Sequence, residues 1–178
     1  MEEEITGKLA NEAWVVVKRP GAARVHPSRW VFAAKFNNDG SVKSVKARFV
    51  GCGYTMLKDD DYDQVFAATL PGVSFRVLLV CIADENLETD HIGAVKAFTQ
   101  ADIDREVHVE MPEGFDTPGH VLLLRKGLEG IKQGANLWFK HNRAAWLKLG
   151  FVSWTNEPNL YYHERLGIRV GECSQTTR

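Results

Sequence analysis

No apolar run in the 178 residues approaches the roughly 18 needed to cross a bilayer as a helix, so no membrane partner is expected. The start, Met1-Glu2-Glu3-Glu4, is acidic and leads into no apolar stretch. A secretory leader is therefore not expected, and an intracellular location (cytoplasm or nucleus) is. Cysteine is scarce: Cys52, Cys81 and Cys173 are far apart and odd in number, which argues against a disulfide framework and a cysteine zinc site. His26, His91, His108, His120, His141 and His163 form no His-x-x-x-His pair, so surface or strand positions are expected for them. Asp59, Asp60, Asp61 and Asp63 lack the glycine and closing glutamate of a calcium loop, and a solvated loop is expected there. Repeats and low-complexity tracts are absent as well. What is present is ordinary globular usage, 44% hydrophobic and 25% charged in 20.0 kDa, which suits one domain or a piece cut from a larger one and argues against disorder.

The net charge of −1 conceals a segregation along the chain. Residues 15–58 carry nine Lys or Arg against Asp39 alone, a net of +8. Residues 59–113 carry thirteen acids against Arg76, Lys96 and Arg105, a net of −10. A polyanion groove beside a metal-binding centre would produce this pattern, and so would chance segregation over a solvated surface.

Residues 2–14 read as a short helix, with Ile5, Leu9 and Ala10 apolar. Trp14 to Val17 is β-prone and closed by the turn signal Arg19-Pro20-Gly21. Trp30–Phe36 and Val42–Val50 flank Asn37-Asn38-Asp39-Gly40, and Asp-Gly between two β-prone arms predicts a hairpin. In its second arm Val45, Ala47 and Phe49 alternate with Lys46 and Arg48, giving one apolar and one basic face. After the break at Pro71-Gly72, Val77, Leu78, Cys81 and Ile82 suit a buried helix over 73–84. Val107–Glu110 reads as a short strand, and the all-apolar Val121–Leu124 as a central one. Asn136–Leu149 reads as an amphipathic helix whose Trp138, Ala145, Trp146 and Leu149 share a face, with Gly150 as its C′ residue. Leu160-Tyr161-Tyr162 opens a last strand, and the five tryptophans are expected mostly in the core.

Several segments follow one another in a particular order. They are Arg29-Trp30-Val31-Phe32, Asp39-Gly40, Lys46-Ala47-Arg48-Phe49-Val50, Asp61-Tyr62-Asp63, Phe66-Ala67 and Ala97-Phe98. Then come Met111-Pro112-Glu113-Gly114-Phe115, Gly130-Ile131-Lys132-Gln133 ahead of Trp138, and Leu149-Gly150-Phe151 ahead of Pro158-Asn159-Leu160-Tyr161. This ordered set, from about residue 2 to about residue 163, closely resembles the N-terminal half of the reverse transcriptase of copia-type retrotransposons. The resemblance implies an α+β fold, the fingers and part of the palm of a right-hand polymerase with small antiparallel sheets and packed helices. Residues 1–170 would be that truncated domain and 171–178 a tail. It also implies RNA-directed DNA polymerase chemistry, in which a primer 3′-hydroxyl attacks a triphosphate and two Mg²⁺ ions stabilise the attacking and leaving oxygens.

In the family one metal-binding aspartate lies in a pattern similar to Leu/Met-Asp-Ala/Val-x-x-Ala-Phe, and two more in a later Tyr-x-Asp-Asp hairpin. Counting back from Phe98, Gly93 occupies the first of these positions, with Asp90 three residues earlier on or before the same expected strand. Residues 163–178 contain no aspartate. The chain is accordingly expected to be a truncated, inactive relic with no catalytic residue and no bound Mg²⁺. The resemblance assigns Lys46 and Arg48 to the phosphates of the incoming triphosphate, Phe98 to the sugar, and Gln133 to the templating pair. The family's Ala-Pro-Arg-x-Trp reads Gly134-Ala135-Asn136-Leu137-Trp138 here, so the local contact through that arginine is missing. Two other readings stay open: a non-catalytic fragment binding template-primer through residues 15–58, and a decayed element with no cellular role. A truncated palm would also self-associate through its unpaired edge.

Overall fold

In the computed structural model, which describes residues 1–173, the elements follow in the order α1 (Glu2–Ala10), β1 (Trp14–Lys18), β2 (Val25–His26), β3 (Ser28–Phe36), β4 (Val42–Gly51), α2 (Gly72–Asp84), β5 (His108–Val109), β6 (His120–Leu124), α3 (Gly134–Lys148), β7 (Val152–Ser153), β8 (Leu160–His163) and β9 (Ile168–Gly171). Short 3₁₀ turns cover Gly53–Thr55 and Ala97–Gln100. The fold is a mixture of helices and small, mainly antiparallel sheets, as the sequence leads one to expect. It parts into two compact units, Met1–Phe66 with Lys96–Trp138 and Ala67–Val95 with Phe139–Arg178.

In the first unit a four-stranded sheet runs in the order β1-β6-β5-β2. β6 is central, as its uninterrupted apolar run suggests, with Trp14 opposite Leu124 on one side and His108 opposite Leu123 on the other. β2 joins β5 in parallel. Val107, Val109, Leu122, Leu124, Leu128 and Ile131 form the core with Trp14 and Phe49. Phe49 is fully buried, its ring 5.6 Å from Trp14 and 5.7 Å from Trp30. The first helix stops at Ala10, short of the expected residue 14. Glu12 turns with φ +52°, and Ala13 donates its N–H to the Lys8 carbonyl, freeing Trp14 to begin β1. Lys8 is wholly buried and ion-paired with Glu4 and Glu129, which pins α1 to the loop ahead of α3.

β3 and β4 form the expected hairpin, bulged between Lys35 and Phe36, and Asp39 caps its turn by accepting hydrogen bonds from the Ser41 N–H (2.9 Å) and hydroxyl (2.6 Å). Its apolar face is covered only at the base. Phe32, Phe36, Val42 and Val45 lie 58–63% exposed, because the strands run out past the core that receives Phe49. At that base the hairpin meets residues 129–131 backbone to backbone. Gly51 donates to Glu129 (2.8 Å) and Gly53 to Gly130 (3.1 Å). A Cβ on Gly130, which sits at φ +88°, would stand 2.2 Å from the Gly51 carbonyl oxygen, and one on Gly53 would stand 2.3 Å from that of Gly130. Only glycine allows so close an approach.

The second unit contains α2, most of α3 and the sheet β7-β8-β9. Tyr161 on the central strand is 1% exposed and lies 6.1 Å from the Trp146 ring. α3 ends in a Schellman arrangement: Gly150 (φ +90°) donates to Leu147 and Phe151 to Trp146, while the two rings of Trp146 and Phe151 meet edge to face at 5.0 Å. The predicted C′ role of Gly150 therefore holds. The shared inward face of that helix holds only in part, since Trp146 is half-buried but Ala145 and Leu149 are exposed. Trp154 is exposed too.

Two further expectations are corrected here. α2 forms at the predicted residues but buries none of them. Apolar residues surround it on every side, so packing Leu78, Cys81 and Ile82 part-way leaves Val73, Val77 and Val80 at 57–70% exposure. No strand forms around Asp90 and Gly93; residues 88–94 have no regular structure, and Ile92 is 83% exposed. Gly171, the first residue of the expected tail, closes β9 opposite Leu160. Residues 174–178 of that tail lie outside the described residues.

Candidate nucleic-acid interface

Strand alternation and register sort the hairpin side chains onto two faces. Val31 lies opposite Arg48, Ala33 opposite Lys46 and Lys35 opposite Ser44, so Arg29, Lys35, Lys46 and Arg48 share one exposed face. Among the described residues none of Lys35, Lys46 and Arg48 has a hydrogen bond or ion pair to an acid. Part of the remaining charge is paired on folding. Arg19 pairs with Glu110 (2.5 Å), and Arg24 with Asp61 (2.9 Å) and Asp60 (3.9 Å). Arg105 pairs with Asp63, and Lys126 with Asp102 (2.7 Å). Some basic and acidic side chains thus neutralise each other within the first unit, while Lys35, Lys46 and Arg48 on the hairpin face stay unpaired among the described residues.

Asp61 corrects the expectation of a solvated loop, for it is 8% exposed. Its carboxylate accepts from the Leu57 N–H (2.7 Å), Arg24 (2.9 Å) and His26 Nε2 (3.2 Å). Burial alone would raise its pKa, but these donors outweigh it and hold the group below the ordinary aspartate range. His26 is 2% exposed, and its Nδ1 lies 2.8 Å from the Thr55 hydroxyl. That hydroxyl donates to the Cys52 carbonyl, 2.9 Å away. The aspartate run therefore ties the chain after β4 to the core.

Gln133 is fully buried, donating from Nε2 to the Asp61 carbonyl (3.0 Å). Three residues on, Asn136 donates from Nδ2 to the Phe66 carbonyl. Two amides at the start of α3 therefore strap down the 61–66 segment, and each leaves its own carbonyl oxygen buried with no partner among the described residues. Beside them opens a cleft of about 550 Å³ lined by Lys58, Tyr62, Asp63, Gln64, Val65, Phe66 and Asn136. Phe98 is half-buried on its 3₁₀ turn, and its Cδ1 would lie 3.5 Å from a Cβ on Gly134. The structure thus brings Phe98 beside the residue after Gln133. Lys46 and Arg48 stand apart on the hairpin, with no hydrogen bond to either. Asn136 and the cleft escaped the sequence reading, although the break in the Ala-Pro-Arg-x-Trp pattern falls on Asn136 itself.

The residues do not fit a magnesium pair. Position 93 is glycine in an irregular exposed segment, and among the described residues no three His, Cys, Asp or Glu side chains converge on one point. Magnesium needs several hard oxygen ligands in near-octahedral array, and this donor set lacks them. Among the described residues no helix is long and apolar enough to cross a membrane.

A family described as reverse transcriptase (RNA-dependent DNA polymerase) matches residues 11–169. The chain is 32% identical over 169 residues to the retrovirus-related Pol polyprotein from transposon RE2 of Arabidopsis thaliana, covering 93% of this chain and 12% of that protein. It is 31% identical to the corresponding polyprotein from transposon RE1 of the same plant, with the same coverage. Against the polyprotein from transposon TNT 1-94 of Nicotiana tabacum it is 28% identical over 165 residues, 91% of this chain and again 12% of the relative. The chain thus spans about an eighth of the length of these relatives. No solved structure matches it.

Proposed function

The chain belongs to the reverse transcriptase family, and on that premise we propose that it is the fingers and part of the palm of a copia-type enzyme, retained as a nucleic-acid-binding module without polymerase activity. The observation that carries the reading is the unpaired basic face of the β3–β4 hairpin. Lys46 and Arg48 stand two residues apart on one strand and offer charge-assisted donors to successive phosphates, Arg with a planar fork and Lys as a point charge. Residues 1–170 act as this one domain, whose partner is a template-primer held through the phosphates. Phe98, near Gly134 at the start of α3, and Gln133, the residue before it, support the sugar and the templating pair from behind.

The absence of polymerase activity follows from the donor set. In two-metal transfer the ions stabilise both oxygens of the displacement, and this chain offers no carboxylate at residue 93 to hold them. A Cβ at Gly93 would meet nothing within 4 Å, so Gly93→Asp folds as the parent does. The test is extension of a DNA primer on an RNA template with Mg²⁺ or Mn²⁺. Neither the chain nor Gly93→Asp extends the primer. Template-dependent extension by the unmodified chain would overturn this reading, and extension by the variant alone would show that Asp90 or Asp102 completes a site.

A further inference from the structure

The cleft beside α3 joins features that none of the readings above uses. Its walls are aromatic and apolar, from Tyr62, Val65 and Phe66, with Phe66 75% exposed. Lys58 contributes a cation at its edge, while the acid on the same wall, Asp63, is already paired with Arg105. Asn136 lines the back, is 5% exposed, and has its Nδ2 committed to the Phe66 carbonyl. Its Oδ1 is buried with no partner among the described residues. A buried acceptor without a donor is costly, so a ligand that brings an N–H there recovers that cost. Volume, flat apolar walls, a cation at the rim and one unsatisfied acceptor describe the complement of a single nucleotide whose base carries an exocyclic amine.

We infer that this cleft takes an unpaired, amine-bearing nucleobase, stacked on Phe66, with its phosphate toward Lys58 and its amine hydrogen donated to Asn136 Oδ1. The exposed Phe66 ring swings aside to admit the base and then covers it. Stacking on an aromatic accepts any base, so the amide supplies the discrimination. Asn136 is then a specificity-determining residue, standing where the family pattern has an arginine that could offer only donors. The inference rests on the nucleic-acid reading above and adds a base preference to it.

The test compares a short deoxyadenosine oligomer with the same oligomer built from purine lacking the 6-amino group, by fluorescence anisotropy with the full chain at low salt. The amine-free oligomer binds roughly tenfold more weakly, the worth of one buried hydrogen bond. Asn136→Leu abolishes that ratio, and Phe66→Ala, at an exposed side chain that folding does not need, weakens both oligomers. Lys46→Ala with Arg48→Ala weakens both equally and preserves the ratio, which separates this inference from the hairpin reading. Equal binding of the two oligomers by the unmodified chain, a ratio that survives Asn136→Leu, or indifference to Phe66→Ala would overturn it. If no oligomer binds, the nucleic-acid reading fails. The cleft is then judged with adenosine monophosphate alone: shifts of the Phe66 and Tyr62 ring protons support it, and their absence refutes it.

Discussion

Replacing Lys46 and Arg48 together by alanine removes half of the four cations that the register places on one hairpin face, leaving Arg29 and Lys35. Each phosphate neutralised on a single strand releases condensed counterions and contributes about −0.7 to the slope of log K against log salt. Four contacts give a slope of about −2.8, so affinity falls about 50-fold between 50 and 200 mM salt. Two contacts give about −1.4 and a fall of about 7-fold over the same range. The double variant should therefore bind more weakly at low salt and converge on the parent as salt rises. Anisotropy titrations of a labelled single strand at four or five salt concentrations measure both lines. The side chains are exposed and unpaired, so unfolding does not confound the comparison, and circular dichroism confirms it. A slope unchanged by the double substitution, or a parent affinity indifferent to salt, would refute the assignment of the face to phosphates.

Phe49→Ala should cost about 3–5 kcal/mol in urea unfolding, because it empties a fully buried site between two tryptophan rings. A loss below about 1 kcal/mol would mean the site collapses around the gap. Gly130→Ala should lower the melting temperature more than Gly93→Asp does, since one Cβ meets a carbonyl at 2.2 Å and the other meets nothing. Asp61 is held below its ordinary pKa, so the unfolded chain takes up its proton first as pH falls. Its contribution is present above a pH of about 4, the unfolded value, and is lost below it. Asp61→Asn should flatten that acid limb in unfolding measured across pH. Burial pushes the Tyr161 phenol up to about 12, with Glu172 adding to the effect. A late ionisation step should thus appear in an ultraviolet titration, and Tyr161→Phe should remove it.

The elements that the sequence announces most clearly are those whose signals are local. Asp39-Gly40 needs only its two neighbours to set the turn, and Gly150 directly follows Leu149, the last apolar residue of the predicted helix. β6 is central because its run from Val121 to Leu124 is apolar on both faces, a property that both flanking strands can use. The failures share one cause, the reliance of a pattern on partners it cannot name. α2 carries enough apolar residues for burial, but nothing in its own sequence says how many neighbours will cover it. The segment around Asp90 has strand-like residues, and a strand requires another strand beside it. Asp61 departs from expectation for the same reason. Three adjacent aspartates look like a solvated run, and the donors that claim one of them come from residues 24, 26 and 57. Lys46, Arg48 and Gln133 were legible through the family resemblance. Asn136 was visible only as a departure from it.

The junction of Gly51, Gly53 and Gly130 has a mechanical consequence for the basic ribbon. A contact made of main chain alone cannot be loosened or re-aimed by exchanging one side chain for another, since any side chain wedges it apart. It therefore acts as a fixed pivot. From that pivot β4 extends ten residues, roughly 33 Å at strand rise, toward a turn with no core around it. Small angular play at the base becomes ångströms of travel at Lys46 and more at the turn. The same pivot holds the entrance of α3, three residues from Gln133 and six from Asn136. The base of the ribbon and the two amides that strap the cleft wall are thus joined by one short stretch of chain, residues 130–136.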